Sequence, residues 1–193
     1  MVSALLFFIL PAAGSMLGPA QFENCEGPFV SLEGPHLLFH YPGVRLEFQP
    51  IGARQILEQL AAEEPMARAL ANPITLSRLE GILFFVVKGH NEGREPFHFN
   101  PDQVTLHWGS QTCRALTPLH FTFGRDLEVN ADLENFAARF ITSNWTLEPG
   151  EQEEQWLAFQ LPEKRRSRRG SLSAREIYYG MESFQFSARL KLP

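Results

Sequence analysis

The chain is poor in the residues and motifs that most reaction chemistries need. Two cysteines, Cys25 and Cys113, supply all the thiol in 193 residues, and their wide separation is not that of a metal-binding pair. His-Glu-x-x-His, Gly-x-Ser-x-Gly, Cys-x-x-Cys and glycine-rich phosphate loops are all absent from the sequence. Those absences remove zincin, α/β-hydrolase, thioredoxin-like and P-loop chemistries. No cofactor is expected. The apolar run from Ala4 to Leu10 is too short to span a bilayer, which takes about 20 such residues, so no transmembrane span is expected either.

Positive charge is also scarce: 17 basic residues face 22 acidic ones, for a net charge of -5. Six of the 17 (Lys164, Arg165, Arg166, Arg168, Arg169 and Arg175) fall within Glu163 to Glu176; without those six, 11 basic residues face the 22 acidic ones. The remainder is an acidic body, which disfavours the broad basic face of a nucleic-acid-binding domain.

What is present begins with an address. Pro11 and a series of small residues follow the short apolar run, as in a secretory signal peptide over 1–20. Ala12-Ala13-Gly14 and Gly18-Pro19-Ala20 are the candidate cleavage points, although no Lys or Arg precedes the run. An exported chain allows Cys25 and Cys113 to close a long disulfide loop; the alternative is two unrelated small core residues.

Hydropathy with 44% apolar residues and 12% aromatics supports one sizeable core over 21–193. Val44, Leu46 and Phe48 alternate with polar neighbours, as do Val104, Leu106 and Trp108, and Phe184, Phe186, Ala188, Leu190 and Leu192 near the end. This period-two pattern predicts half-buried strands. The unbroken run Ile82 to Val87 predicts a strand covered on both faces. Helical spacing enters only near 53–71 and 131–140. The expected fold is mainly β, an antiparallel sandwich with two short helical insertions.

The run Leu147 to Pro162, LEPGEQEEQWLAFQLP, resembles the late strands of immunoglobulin-like β-sandwich domains of small exported bacterial proteins of unknown function. In these, a Leu-x-Pro-Gly-Glu turn precedes a strand ending in Phe-x-hydrophobic-Pro. FHFNPDQVTLHWGS (97–110) adds to the likeness. The resemblance implies an extracytoplasmic accessory or binding domain with no known reaction; the helical stretch at 53–71 departs from the plain pattern.

Three sets of residues carry the remaining expectations. Arg165, Arg166, Arg168 and Arg169 lie in a basic loop predicted over 163–176, where forked guanidinium donors suit an anionic surface. The alternative is a solvated loop whose charge guards a sheet edge. His98, His107 and His120 fall on separate predicted strands that could converge on a metal, or are isolated strand histidines. Trp145, Trp156, Tyr178 and Tyr179 are candidate docking aromatics, or core. The combined expectation is an exported, non-enzymatic module that binds an envelope protein or an anionic surface. An enzyme built from scattered histidines and a structural envelope protein are the competing readings.

Overall fold

The computed structural model describes residues 19–63, 79, 81–116, 139–140, 144–162 and 167–192. It is mainly β, with two antiparallel sheets packed face to face. One holds β1 (Gln21–Glu26), β12 (Glu182–Lys191) and β11 (Arg169–Tyr179) in that order. Beyond β11 this sheet divides: β6 (Phe97–Phe99) leads to β9 (Trp145–Leu147), and β7 (Val104–Trp108) leads to β8 (Gln111–Arg114). The other runs β10 (Gln152–Gln160), β5 (Ile82–Asn91), β4 (Val44–Ile51), β3 (His36–Tyr41), β2 (Val30–Glu33). We call them sheet A and sheet B.

The alternating residues do as their pattern dictates. Phe184, Phe186, Ala188, Leu190 and Leu192 enter the space between the sheets, where they meet Leu37, Phe39, Leu46 and Phe48. Aromatic rings tie the layers together: Phe48 lies 5.6 Å from Phe186 and 5.8 Å from Phe99 between centroids, both edge-to-face. Such pairs add roughly 0.5–1.5 kcal/mol beyond area burial.

β5 is apolar on both faces for a reason the topology supplies. Leu83, Phe85 and Val87 belong to the core between the sheets. Ile82, Phe84 and Val86 point the other way and build a second core with Ile51, Ile56, Phe140 and Trp156. Ile56 comes from helix α1 (Ala53–Glu63), which starts where Gln55 Oε1 accepts from Gly52 N (3.1 Å). The rest of the predicted 53–71 helical stretch lies outside the described residues, as does most of 131–140, of which Arg139 and Phe140 form a turn and an isolated bridge to Trp156. No described helix is long and apolar enough to cross a membrane.

The predicted basic loop over 163–176 is corrected. β11 already begins at Arg169, and RGSLSAR is a strand with Leu172 and Ala174 inward and Ser171, Ser173 and Arg175 outward. Its inner residues are small because β7 fills the space: a Cβ on Gly170 would lie 2.2 Å from Trp108 Cε3. A bulge then sets Arg175 and Glu176 against Gln185, with Glu176 at φ 53°. Across β11, the bulge coincides with a 3-10 turn (Pro101–Gln103) that separates β6 from β7.

Candidate functional site

Five connections meet at one end of the sandwich: 27–29, 42–43, 92–96, 148–151 and 180–181. Pro42-Gly43 and Pro149-Gly150 are turns with glycine at φ 83° and 87°. Proline presets the first turn residue and only glycine takes the second without strain. Asn91, the last residue of β5, fastens this end. It is fully buried; its Nδ2 donates to Glu95 O (2.9 Å) and Leu147 O (2.8 Å), and its Oδ1 accepts from Gly93 N (3.0 Å). One side chain thereby satisfies backbone groups from the 92–96 connection and from β9. Tyr179 fixes the same loop from sheet A, its hydroxyl accepting from Arg94 N at 2.9 Å.

Over this frame the end is apolar at two points and rich in exposed carboxylates. Phe29 is 48% exposed at φ 64°, a backbone region costing a bulky residue about 1–2 kcal/mol. Its ring stands edge-to-face on Tyr41 (5.0 Å) and Phe184 (5.8 Å), contacts that offset the strain. Met181, at the tip of the β11–β12 hairpin, is fully exposed. Glu26, Glu92, Glu95, Glu148, Glu151 and Glu182, on or next to the connections at this end, are all exposed, as is the basic Arg94. Tyr41 donates to Glu182, which pushes its phenol above the usual tyrosine range, with burial adding to the shift.

Beside the end, on the outer face of sheet B, lies an open cleft of about 370 Å³ lined by Glu33, His40, Gly43, Arg45, His90 and Glu92, among others. On the neighbouring strand, opposite Leu38 of the cleft lining, Glu47 is held between His36 Nδ1 (2.7 Å) and Arg45 Nη2 (3.3 Å). The histidine contact is short but poorly angled for a hydrogen bond, so it acts as a Coulombic pair when the ring is protonated. His90 Nδ1 lies 3.4 Å from Glu92 Oε1. The cleft carries both signs of charge and has no nucleophile paired with a base.

The residues singled out from the sequence are scattered. Cys25 and Cys113 sit in one row across sheet A, through Ala188, Leu172 and Leu106, four strand spacings apart. At ~4.8 Å per strand they are roughly 19 Å from each other, well beyond the ~7 Å reach of a disulfide. The expected bridge is therefore corrected: both are free, partly buried thiols packed on the core, and burial pushes both above the usual range.

His98 and His107 do not converge. They face Tyr178 and Ser171 of β11, seven residues apart, which places them roughly 20 Å from each other at ~3.3 Å per residue. Each bonds to threonine instead, His98 to Thr146 (2.9 Å) and His107 to Thr112 (3.1 Å). His120 lies outside the described residues. Among the described residues, no group of three or more His, Cys, Asp or Glu could hold a metal ion.

Arg165 and Arg166 also lie outside the described residues. Arg168 is exposed, while Arg169 makes an ion pair with Glu23 (Nε to Oε2, 3.2 Å) and is partly committed. Trp145 and Trp156 are core, and Tyr179 is a loop anchor; Tyr178 alone of the four aromatics is substantially exposed. Sequence reasoning missed Phe29, Met181 and Asn91. The Asn-x-Gly step after a long apolar strand was the available signal for Asn91; nothing local marked the other two.

Comparison with known proteins leaves the chain without a family: no family model matches it, nor does any curated protein. Among solved structures it is similar to the yjhA protein from Bacillus subtilis, with 17% identity and a TM-score of 0.31. That match covers 48% of this chain, which spans about half (55%) of that protein's length. It is also similar to a functionally unknown protein from Listeria monocytogenes EGD-e, with 13% identity and a TM-score of 0.36, covering 87% of this chain and 81% of that one.

Proposed function

We propose that the chain is an exported, non-enzymatic binding module of the bacterial envelope, an immunoglobulin-like sandwich that docks a partner protein through its loop end. The observation that carries this reading is the exposure of Phe29 and Met181 at an end that also carries six exposed carboxylates. Nearly every other large apolar side chain described is buried. A strained, half-exposed aromatic fixed by two neighbouring rings is a preorganised contact, because little side-chain freedom is left to lose on binding. The carboxylates define the partner as a basic surface with an apolar pocket, and like charge turns acidic proteins away. The cleft beside the loops, with Glu33, Glu92 and Arg45 on its walls, adds charge of both signs at the edge of this surface. Export agrees with the apolar N-terminal run. Ala20 is 2% exposed within the core, which favours cleavage at Ala12-Ala13-Gly14 over a cut that would remove it.

A photo-crosslinking residue placed at Met181 in the native host is expected to give one discrete adduct with a basic protein. The same residue at Ser110, in the turn at the opposite end, is expected to give none, and Glu92→Lys with Glu95→Lys should abolish the adduct. Equal labelling from both ends, or an adduct indifferent to charge reversal, would overturn the docking surface. Recovery of the full-length chain from the cytosol would overturn the address.

A further inference from the structure

The outer face of sheet A holds a second surface, which borders the loop end at Glu26. Strand register sets three serines together there: Ser187 of β12 faces Ser173 of β11, and Ser171 lies two residues from Ser173 on the same side. Serine side chains are short, so they floor a trough between longer neighbours. Arg189, opposite Ser171, closes one end. Arg175, which the bulge turns outward beside Glu176, closes the other. Asn24 and Glu26 of β1 form the long rim. Two adjoining cavities of about 200 and 380 Å³ fill this space and share Glu26, Ser173 and Ser187.

The side chains here are uncommitted. Arg45, Arg54, Lys88 and Arg169 each pair with a glutamate. Arg175 and Arg189 have no ion-pair partner among the described residues, and no hydrogen bond is made by the side chains of Ser171, Ser173 or Ser187 there. One guanidinium group without a carboxylate partner thus stands at each end of a hydroxyl floor.

From this geometry we propose that the trough binds an extended, hydroxylated polyanion, a chain of sugar or polyol units bearing carboxylate or phosphodiester groups. Arg175 is four residues along β11 from the row of Arg189, about 13 Å at the usual strand rise. That span exceeds a single phosphate or carboxylate, so one anionic group meets each end and the ligand backbone lies between. Each guanidinium offers a forked pair of donors to its anion. The three serine hydroxyls and Asn24 exchange hydrogen bonds with ligand hydroxyls, and Glu26 accepts from them. The electrostatic part of the affinity falls with salt, because the trough is open to solvent.

The test uses fluorescently labelled hexamers of a polyuronate and of a glycerol phosphate chain, titrated against the whole protein by polarisation, with a neutral glucan hexamer and inorganic phosphate as controls. At least one anionic hexamer is expected to bind, identifying the ligand's charged group, with both controls at least tenfold weaker. Arg175→Gln and Arg189→Gln should each weaken binding about tenfold, and Ser173→Val should do so without altering the charge. Amide shifts in NMR spectra should map to β1, β11 and β12, and unchanged spectra elsewhere show that each variant is folded. Failure of both hexamers, equal binding of a polythymidylate of the same charge, or shifts confined to the loop end would each overturn the proposal.

Discussion

Replacing Asn91 by aspartate tests whether one amide fastens the loop end. The exchange alters no shape: Nδ2 becomes an oxygen, and Glu95 O and Leu147 O, at 2.9 and 2.8 Å, lose their donor. Each buried carbonyl left unpaired costs about 1–3 kcal/mol. The carboxylate itself is buried with one donor, Gly93 N, to answer it. We expect a loss of about 3–5 kcal/mol at pH 7.5, a large share of the roughly 5–15 kcal/mol of a typical domain. Burial raises the folded pKa of the new acid above its unfolded value of about 3.9. A group raised in this way contributes most below its unfolded pKa and loses that contribution as pH rises through the folded one. The deficit against the natural protein should therefore shrink between pH 7.5 and pH 5. Asn91→Leu should show a comparable deficit that does not change over the same interval. Urea unfolding followed by tryptophan fluorescence measures all three proteins at both pH values. An aspartate variant within 1 kcal/mol of the natural protein at pH 7.5, or a deficit unchanged at pH 5, would refute the role given to this amide.

Further expectations rest on other contacts. A Cβ on Gly93 would lie 2.0 Å from Tyr179 Oη, so Gly93→Ala must displace that hydroxyl and should cost about 1–3 kcal/mol; combined with Tyr179→Phe in a denaturation double-mutant cycle, the two losses should be less than additive. Cys25 and Cys113 should give the same intact mass with and without reductant. Their thiols, pushed up by burial, should alkylate with iodoacetamide at pH 8 more slowly than a free cysteine. The phenol of Tyr41 is raised chiefly by its hydrogen bond to Glu182. Its stabilisation is therefore present below the ordinary tyrosine pKa of about 10 and lost as pH climbs through the raised value. The stability gap between the natural protein and Tyr41→Phe should close on alkaline titration.

Much of the sandwich was legible because most strands carry their own periodicity. β4, β7 and β12 alternate cleanly, and Ile82 to Val87 announced two-sided burial that the second core then supplied. β11 was misread as a loop because its inner residues near the start are Gly170, Leu172 and Ala174. The bulk expected on a buried face comes instead from Trp108 on the neighbouring strand, a complementarity between residues far apart in sequence. The first half of β10 carries no apolar pattern of its own: Gln152, Glu153 and Glu154 are all polar, yet they pair with His90, Gly89 and Lys88, and Lys88 and Glu154 meet at 3.4 Å. The loop end was illegible because its carboxylates come from four separate stretches. The separation of the cysteines depends on strand order, which no local pattern encodes.

The place of β12 has a consequence for synthesis. The last described strand in the chain lies between the first, β1, and β11, and both neighbours need its backbone groups to complete their ladders. Until β12 has left the ribosome, β1 has no partner and the row from Phe184 to Leu190 is missing from the core. Sheet A therefore cannot close before β12 has been made. Such long-range pairing also slows folding once the strand is available. A chain from which β12 is withheld leaves β1 and the facing edge of β11 with backbone donors and acceptors open to any other strand.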